Sequence, residues 1–162
     1  MRRLGMFFVI ATLALGVSTA TAETSTSTLL AMVYVRQDTA VTVSADPLNF
    51  GTVNSDQNKS GQTTLHVTCS PGGRPYEIEA DSGLHPDGTN RRMLALHGSD
   101  HMYYYLFTDT INLEYFGPGS GIPGIGTGSE QLFTIGAVVP NHSGIASDDY
   151  SDTVVITVTF TL

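Results

Sequence analysis

Residues 152–162 have the sequence DTVVITVTFTL, and this stretch constrains the fold more than any other part of the chain. Apolar side chains occupy alternate positions, namely Val154, Ile156, Val158, Phe160 and Leu162. The positions between them are held by Val155, Thr157, Thr159 and Thr161. Because successive side chains of a β-strand point to opposite faces, this alternation predicts a strand with one face packed against a core.

Similar alternation predicts further strands at residues 41–45, 63–69, 76–80, 102–107 and 131–139. These stretches are rich in β-branched and aromatic residues, and clusters of Gly, Pro, Asn, Asp and Ser separate them. After residue 22, no window combines helical periodicity with capping residues. The sequence therefore predicts an all-β fold, either an antiparallel sandwich or a barrel.

The first 22 residues have the features of an export signal. Arg2 and Arg3 precede an apolar run over residues 4–17, and Ala20-Thr21-Ala22 matches the small-x-small cleavage pattern. The apolar run is shorter than the roughly 20 residues that cross a bilayer, which favours a removed signal over a retained anchor. Removing 22 of 162 residues leaves 140, which suits one domain with a substantial core.

Charge and cysteine content narrow the class of protein further. The full chain has a formal net charge of −8, and removal of Arg2 and Arg3 leaves five Lys and Arg against 15 Asp and Glu, or −10. Such a protein gains nothing electrostatically from nucleic acid or an anionic membrane. Cys69 is the only cysteine, so an intramolecular disulfide and a cysteine zinc cluster are excluded. We expect its thiol to be buried and to react slowly.

A second alternating stretch, TSTLLAMVYV, covers residues 26–35. Leu29, Ala31, Val33 and Val35 share one face of the predicted strand, and the RQDTA that follows does not resemble a tight hairpin turn. The strand at residues 152–162 closes the sequence, which predicts an apolar face beside an unpaired edge. An extra strand and an open edge are complementary between copies, and head-to-tail contacts of this kind build a filament.

Several motifs occur in an order that resembles one protein family. They are VTVSADPLNFGTVNSD, LHVTCS, YEIEADSG, NRRML, YYYLFTD and the closing YSDTVVITVTFTL. Together they resemble the spore coat protein U domain family, which includes the pilins of archaic (Csu-type) chaperone-usher pili. The resemblance implies an all-β, incomplete immunoglobulin-like β-sandwich that lacks its last strand. It divides the chain into a signal peptide (1–22), an N-terminal donor-strand extension (23–37) and a pilin domain (38–162).

The resemblance also implies a mechanism and partners. The N-terminal extension of one subunit fills the groove of the next, as in the β-strand addition known from chaperone–pilin complexes. The implied donor residues are Leu29, Ala31, Val33 and Val35, and the implied acceptor groove is lined by Val154, Ile156, Val158 and Phe160. The implied partners are identical or related pilin subunits, a periplasmic chaperone and an outer-membrane usher. The implied product is a surface fibre that supports adhesion and biofilm formation, with no enzymatic activity, cofactor, nucleic acid or small-molecule substrate.

Two positions depart from the family pattern. Many members carry a cysteine where this chain has Val41, and that cysteine bridges to the one at the place of Cys69. Members often have glycine where this chain has Asp149. The missing bridge favours a minor or divergent pilin over a subunit of the fibre shaft.

Other motifs give weaker indications of metal binding, phosphate binding or hydrolase activity. HGSDH at residues 97–101 contains possible metal ligands, but it lacks a third partner nearby and an exposed turn is favoured. GPGSGIPGIGTGSE at 117–130 lacks the ending of a phosphate-binding loop, which favours a mobile surface loop. Asp148 and Asp149 are interpreted as solvated carboxylates in a turn, and no G-x-S-x-G motif is present.

The main alternative function is a self-contained secreted β-sandwich binding module. In such a module, residues 28–36 pair with the last strand of their own chain. A tip adhesin is less favoured, because such proteins usually need a second, receptor-binding domain.

Overall fold

The computed structural model describes residues 10–18, 27–33, 40–111 and 114–160. Within these ranges the regular elements are eleven strands, and there is no helix long and apolar enough to span a bilayer. The strands are β1 (Ile10–Ser18), β2 (Ser27–Val33), β3 (Ala40–Ala45), β4 (Asn49–Thr52), β5 (Lys59–Ser70), β6 (Pro75–Ala80), β7 (Arg91–Ala95), β8 (His101–Phe107), β9 (Ile122–Ile125), β10 (Glu130–Val139) and β11 (Tyr150–Phe160).

The strands follow the order β3-β5-β10-β8-β7-β11-β2-β1-β4, and β6 pairs with both β11 and β9. The arrangement has two halves that meet at β8. One half contains β3, β5 and β10, and the other contains β7, β11 and the strands joined to β11. Residues 101–104 of β8 pair with β7, whereas residues 105–107 pair with β10. The pairings among β3, β5, β10, β8, β7 and β11 are all antiparallel. One continuous core lies between the two halves, as in a sandwich.

The core is built from the alternating side chains of both halves. In β5, for example, Leu65, Val67 and Cys69 are fully buried while the residues between them are partly exposed. The side chains with no exposed surface include Val53, Leu65, Val67, Cys69, Ile78, Met93, Tyr104, Phe116, Ala137, Val139, Tyr150, Val154 and Ile156. Period-two alternation in the sequence therefore marks the core-facing side of each strand.

The six predicted strands after residue 40 are confirmed as β3, β5, β6, β8, β10 and β11. Four strands were not predicted, namely the short strands β4, β7 and β9, and β1, which lies in the predicted signal peptide. The prediction of a mobile loop over residues 117–130 was wrong in part, because Ile122–Ile125 forms β9 against β6. Strand β9 is short and contains Pro123, which suits a sheet edge because proline cannot donate to a further strand.

Cys69 is fully buried, as predicted, and it lies directly opposite Val41 in the β3–β5 pair. Burial raises the pKa of its thiol, since the charged thiolate is poorly solvated there. Val41, the position where the resemblance implies a second cysteine, therefore forms a cross-strand pair with Cys69. Directly opposed residues of antiparallel strands have Cα atoms about 4.5–5.5 Å apart, within the range that a disulfide spans.

Val41→Cys should restore a disulfide with Cys69 and stabilise the protein. Closing a loop of this length lowers the entropy of the unfolded chain by an amount worth about 3–4 kcal/mol. Thermal unfolding with and without reductant measures the gain, and thiol titration of the denatured variant reports bond formation. Two titratable thiols, or a melting temperature insensitive to reductant, would contradict the prediction.

In the unmodified protein, the Cys69 thiol should become reactive only on denaturation.

Candidate functional site

Strand β11 has two edges, and they are occupied by different kinds of partner. On one edge, β7 pairs with Tyr150 and Ser151, and β6 pairs with residues 156–160. On the other edge, β2 pairs with residues 153–158 and β1 pairs with residues 150–152. The partners described on this second edge thus come from the N-terminal part of the chain. This edge is the candidate functional site.

The register of β2 on β11 pairs three of the predicted donor residues with three of the predicted acceptor residues of the same chain. The two strands run parallel, and the register pairs Leu29 with Val154, Ala31 with Ile156, and Val33 with Val158. Of the remaining predicted residues, Phe160 pairs with Tyr76 on the opposite edge of β11, and Val35 lies outside the described residues. The pairing forms within one chain, so the structure brings these segments together in cis.

The inner face of β11 belongs to the protein core. Val154, Ile156 and Val158 are at most 1% exposed, whereas Val155 and Thr157 on the outer face are partly exposed. Ile156 borders a small internal space that is also lined by Leu48, Leu65, Leu106, Phe116 and Ile135. A strand that docks on this edge therefore extends a surface that is continuous with the core.

On the first edge of β11, β7 pairs before residue 152 and β6 pairs after residue 155. Between these two pairings, a polar cluster holds the strand in place. Asp81 bridges to Val155, because its amide donates to the Val155 carbonyl (3.0 Å) and its Oδ1 accepts from the Val155 amide (2.9 Å). Asp152 is buried at 4% exposure and accepts from the Leu84 amide (2.8 Å) and from the Tyr104 hydroxyl (2.6 Å). The two bonds with Asp81 satisfy the backbone of Val155, which has no ladder partner on this edge among the described residues, and the Asp152 bonds tie the strand to the Leu84 loop and to Tyr104.

Arg91 completes this cluster from β7. Its guanidinium is fully buried and donates to the carbonyl oxygens of Asp81 (2.7 Å), Phe116 (2.8 Å) and Ala80 (3.2 Å). Burial lowers the pKa of Arg91, and nearby tyrosines and carboxylates, Asp81 and Asp152 among them, act in the opposite direction. Five donors in a rigid fork allow arginine to bind several carbonyls that would otherwise be buried unpaired.

Burial also shifts the acidic members of the cluster. It raises the pKa of Asp152, although the hydrogen bond from Tyr104 partly opposes the shift. The pKa of Tyr104 is well above its usual range, first because of burial and then because of the Asp152 charge. Gly83 has a positive φ of 79°, and a β-carbon there would clash with the Asp152 carboxylate. The loop after β6 therefore needs glycine at this position to close over Asp152.

Asp152→Asn should change the pH dependence of stability. Since the folded-state pKa of Asp152 is raised, the folded protein holds this proton more tightly than the unfolded chain does. The contribution of Asp152 is thus fully present below its unfolded pKa and is lost as pH rises through its folded pKa. Denaturant unfolding of both proteins between about pH 4 and pH 7 measures this, and the stability advantage of Asp152 over Asn should shrink towards pH 7. An advantage that grows with pH would contradict the assignment.

Sequence reasoning missed this cluster, although the sequence contains a signal for it. Arg91 shares the alternation of Met93 and Ala95 in β7, and Asp152 shares that of Tyr150 and Val154 in β11. A charged residue at a core-facing position must find buried partners, because an unpaired charge is costly in a core. The pattern could therefore have marked both residues, but it could not have identified their partners.

The loops at one end of the sandwich place His97 beside Asp148. The His97 amide donates to Asp148 Oδ2 (2.7 Å), and its ring Nδ1 lies 2.9 Å from Asp148 Oδ1. The bond with His97 lowers the pKa of Asp148. The interpretation of Asp148 and Asp149 as simple solvated carboxylates was wrong, since Asp149 Oδ1 is buried without a hydrogen-bond partner among the described residues. No cluster of metal-ligating side chains occurs in the described ranges.

Comparisons with known proteins agree with this architecture. The sequence model of the Spore Coat Protein U domain matches residues 25–157. Protein U of Myxococcus xanthus is 32% identical, over 70% of this chain and 71% of that protein. A solved structure with a similar fold is the chaperone–tip adhesion subunit pre-assembly complex CsuC–CsuE, with a TM-score of 0.57. The complex comes from the archaic chaperone-usher Csu pili of Acinetobacter baumannii. That match has 18% identity and covers 82% of this chain but 43% of the other. The predicted all-β, immunoglobulin-like fold is thereby confirmed.

Proposed function

This chain belongs to the spore coat protein U domain family, and on that premise we propose that it is a structural, non-enzymatic subunit of a surface fibre that polymerises by donor-strand exchange. The proposal rests on the register of β2 on β11. In this register Leu29 pairs with Val154, Ala31 with Ile156, and Val33 with Val158. In the fibre, the same segment of one copy occupies this edge in the next copy. Residues 23–37 are the donor extension and residues 38–162 the domain.

Export provides the step that leaves β2 paired along one edge only. Strand β1 lies inside the predicted signal peptide, and it pairs with β2, with Tyr150–Asp152 of β11 and with β4. Removal of residues 1–22 takes these pairings away, so β2 keeps β11 as its strand partner and loses its other neighbour. A segment held along one edge exchanges more readily for an identical segment from another copy.

A donor segment in this groove buries apolar side chains that a subunit without a donor strand would expose. Full burial of Leu29, Val33 and Val35 contributes about 1.5–3 kcal/mol each before ordering costs, and Ala31 contributes less. The backbone hydrogen bonds of the added strand also satisfy the edge amides and carbonyls of β11. The contact is heterologous and does not close on itself, so repetition gives a filament.

The pathway partners follow from the same chemistry. A subunit with an open apolar edge needs a temporary strand before assembly, which a periplasmic chaperone supplies and an outer-membrane usher replaces with the next subunit. The structurally similar complex pairs a tip adhesion subunit, CsuE, with a chaperone, CsuC. For the present chain, we propose identical or related subunits as neighbours in a fibre that supports adhesion and biofilm formation at the cell surface.

One observation favours the second candidate, a self-contained secreted binding module. In the described structure, β2 pairs with β11 of its own chain. A module that keeps this pairing after export has a satisfied edge and needs no partner strand. The two candidates therefore differ in whether β2 stays in cis.

Purified protein that begins at Glu23 should distinguish the two candidates. Strand-exchanged copies resist detergent, so an unheated sample should run as a ladder on a denaturing gel and collapse to one band after boiling. Without a periplasmic partner, the subunit should be oligomeric, aggregated or degraded, because an open groove exposes apolar residues and edge amides together. N-terminal sequencing confirms the start at Glu23. One soluble monomer over a wide concentration range would instead establish the self-contained module.

A further inference from the structure

The outward side chains of β8 form a row of aromatic rings that plays no part in strand exchange. We define the aromatic row as His101, Tyr103, Tyr105 and Phe107. The residues between them, Met102, Tyr104 and Leu106, are at most 3% exposed and face the core. Since alternate residues of a strand are about 6.8 Å apart, the row extends for roughly 20 Å along β8.

The rings of the row are held in place by neighbouring groups. The Tyr103 hydroxyl donates to Asp87 (2.5 Å), and the Arg92 guanidinium lies 6.0 Å from the centre of the Tyr103 ring. Tyr115 stands edge-on to both Tyr105 and Phe107, with ring centres 5.8 Å apart in each pair. At the other end, the rings of His85 and His101 are 6.1 Å apart. A surface ordered before binding loses less entropy when a ligand arrives.

The aromatic row is open to solvent rather than part of the core. Tyr103 is 37% exposed, and His101, Tyr105 and Phe107 are partly exposed. On the adjacent strands, the residues opposite the row are Leu94 and Arg92 of β7 and Val138 and Gly136 of β10. Aromatic rings with a polar tip are typical of recognition surfaces, because they offer contact area and hydrogen bonds together.

The charges around the row limit the ligand. Asp87 accepts a hydrogen bond from Tyr103 within the row, and Asp109 and Glu114 lie near Thr108, next to the Phe107 end. Arg92 is engaged by Asp87 (4.0 Å) and by the carbonyl oxygens of His85 and Pro86. These carboxylates and the acidic character of the whole chain repel nucleic acids and anionic polymers.

We propose that the aromatic row is a binding platform for an uncharged polysaccharide. Each sugar ring offers a C–H face that packs on an aromatic ring, while its hydroxyls bond to phenol hydroxyls and carboxylates at the rim. A row along the outward side of one strand suits an extended chain that spans several rings, whereas small ligands favour concave pockets. This inference holds for a fibre subunit and for a self-contained module, because the row lies away from the β2 edge of β11.

Affinity electrophoresis tests the proposal with the exported protein in native gels. The gels contain hydroxyethylcellulose or galactomannan as uncharged probes and alginate as an anionic probe. We expect retardation by at least one uncharged polymer and none by alginate. Tyr105→Ser and Tyr103→Ser should each weaken binding roughly two- to tenfold, and Tyr105→Phe should retain more binding because it keeps the ring.

Leu132→Ser provides the matched control, since Leu132 is 61% exposed on β10 and lies outside the row. Its binding should equal that of the unmodified protein, and circular dichroism should show that all four variants fold. Absence of retardation by both uncharged polymers, equal retardation by alginate, or an equal loss in Leu132→Ser would overturn the proposal. A change of oligomeric state in the tyrosine variants without a change in polysaccharide binding would also overturn it, and would make the row a contact between copies.

Discussion

Val33→Asp should abolish the linkage between subunits while leaving the acceptor edge of each subunit competent. The register places Val33 opposite Val158, which lies on the buried apolar face of β11. A carboxylate in that groove would be buried without a partner, which costs several kcal/mol. The detergent-resistant ladder should therefore disappear. Met32→Asp, on the alternate position of the same strand, is the matched control and should retain the ladder.

A peptide that copies residues 26–37 separates the donor from the acceptor. Val33→Asp should still bind this peptide, because the edge of β11 is unchanged. Ile156→Asp should lose both the ladder and the peptide, since Ile156 is fully buried beneath the groove. Thr157→Asp carries the same charge on the outer face of β11, so it should retain both and report on folding. If Val33→Asp instead lowers the melting temperature of a monomer, and the unmodified protein forms no oligomer, residues 27–33 are an internal strand and the fibre proposal fails.

Arg91→Met should be the most destabilising single change in the polar cluster around β11. The substitution removes three hydrogen bonds to buried carbonyl oxygens and leaves Asp152 without the nearby positive charge. Removal of one partner from a buried charged group typically costs about 3–5 kcal/mol. Denaturant unfolding followed by far-ultraviolet circular dichroism measures this loss. The chain has no tryptophan, so backbone dichroism is the more suitable signal.

Arg92→Met is the matched control for Arg91→Met, because the two arginines are adjacent on β7 and face opposite ways. Arg92 is partly exposed and bonds to the carbonyl oxygens of His85 and Pro86. Its loss should cost at most about 1 kcal/mol, as for other exposed charged contacts. Equal losses in the two variants would show that burial of Arg91 has no special role in holding β11. A large loss confined to Arg91→Met would link the stability of the acceptor strand to this cluster.

Local patterns in the sequence determined which segments are strands and which face of each is apolar. Strands β3, β5, β6, β8, β10 and β11 were predicted because period-two alternation and β-branched residues act within a few neighbouring positions. The short strands β4, β7 and β9 have four or five residues, too few for alternation to stand out. The buried thiol of Cys69 followed from the same alternation.

Only the tertiary structure decided which strands are neighbours and where the buried polar groups meet. Backbone hydrogen bonds are the same for every residue, so alternation assigns a face to a strand but not a partner. The parallel pairing of β2 with β11, the division of β8 between two halves, and the cluster of Arg91 with Asp152 all join residues far apart in sequence. Their formation depends on how the whole chain closes around the core, and a local pattern contains no information about that closure.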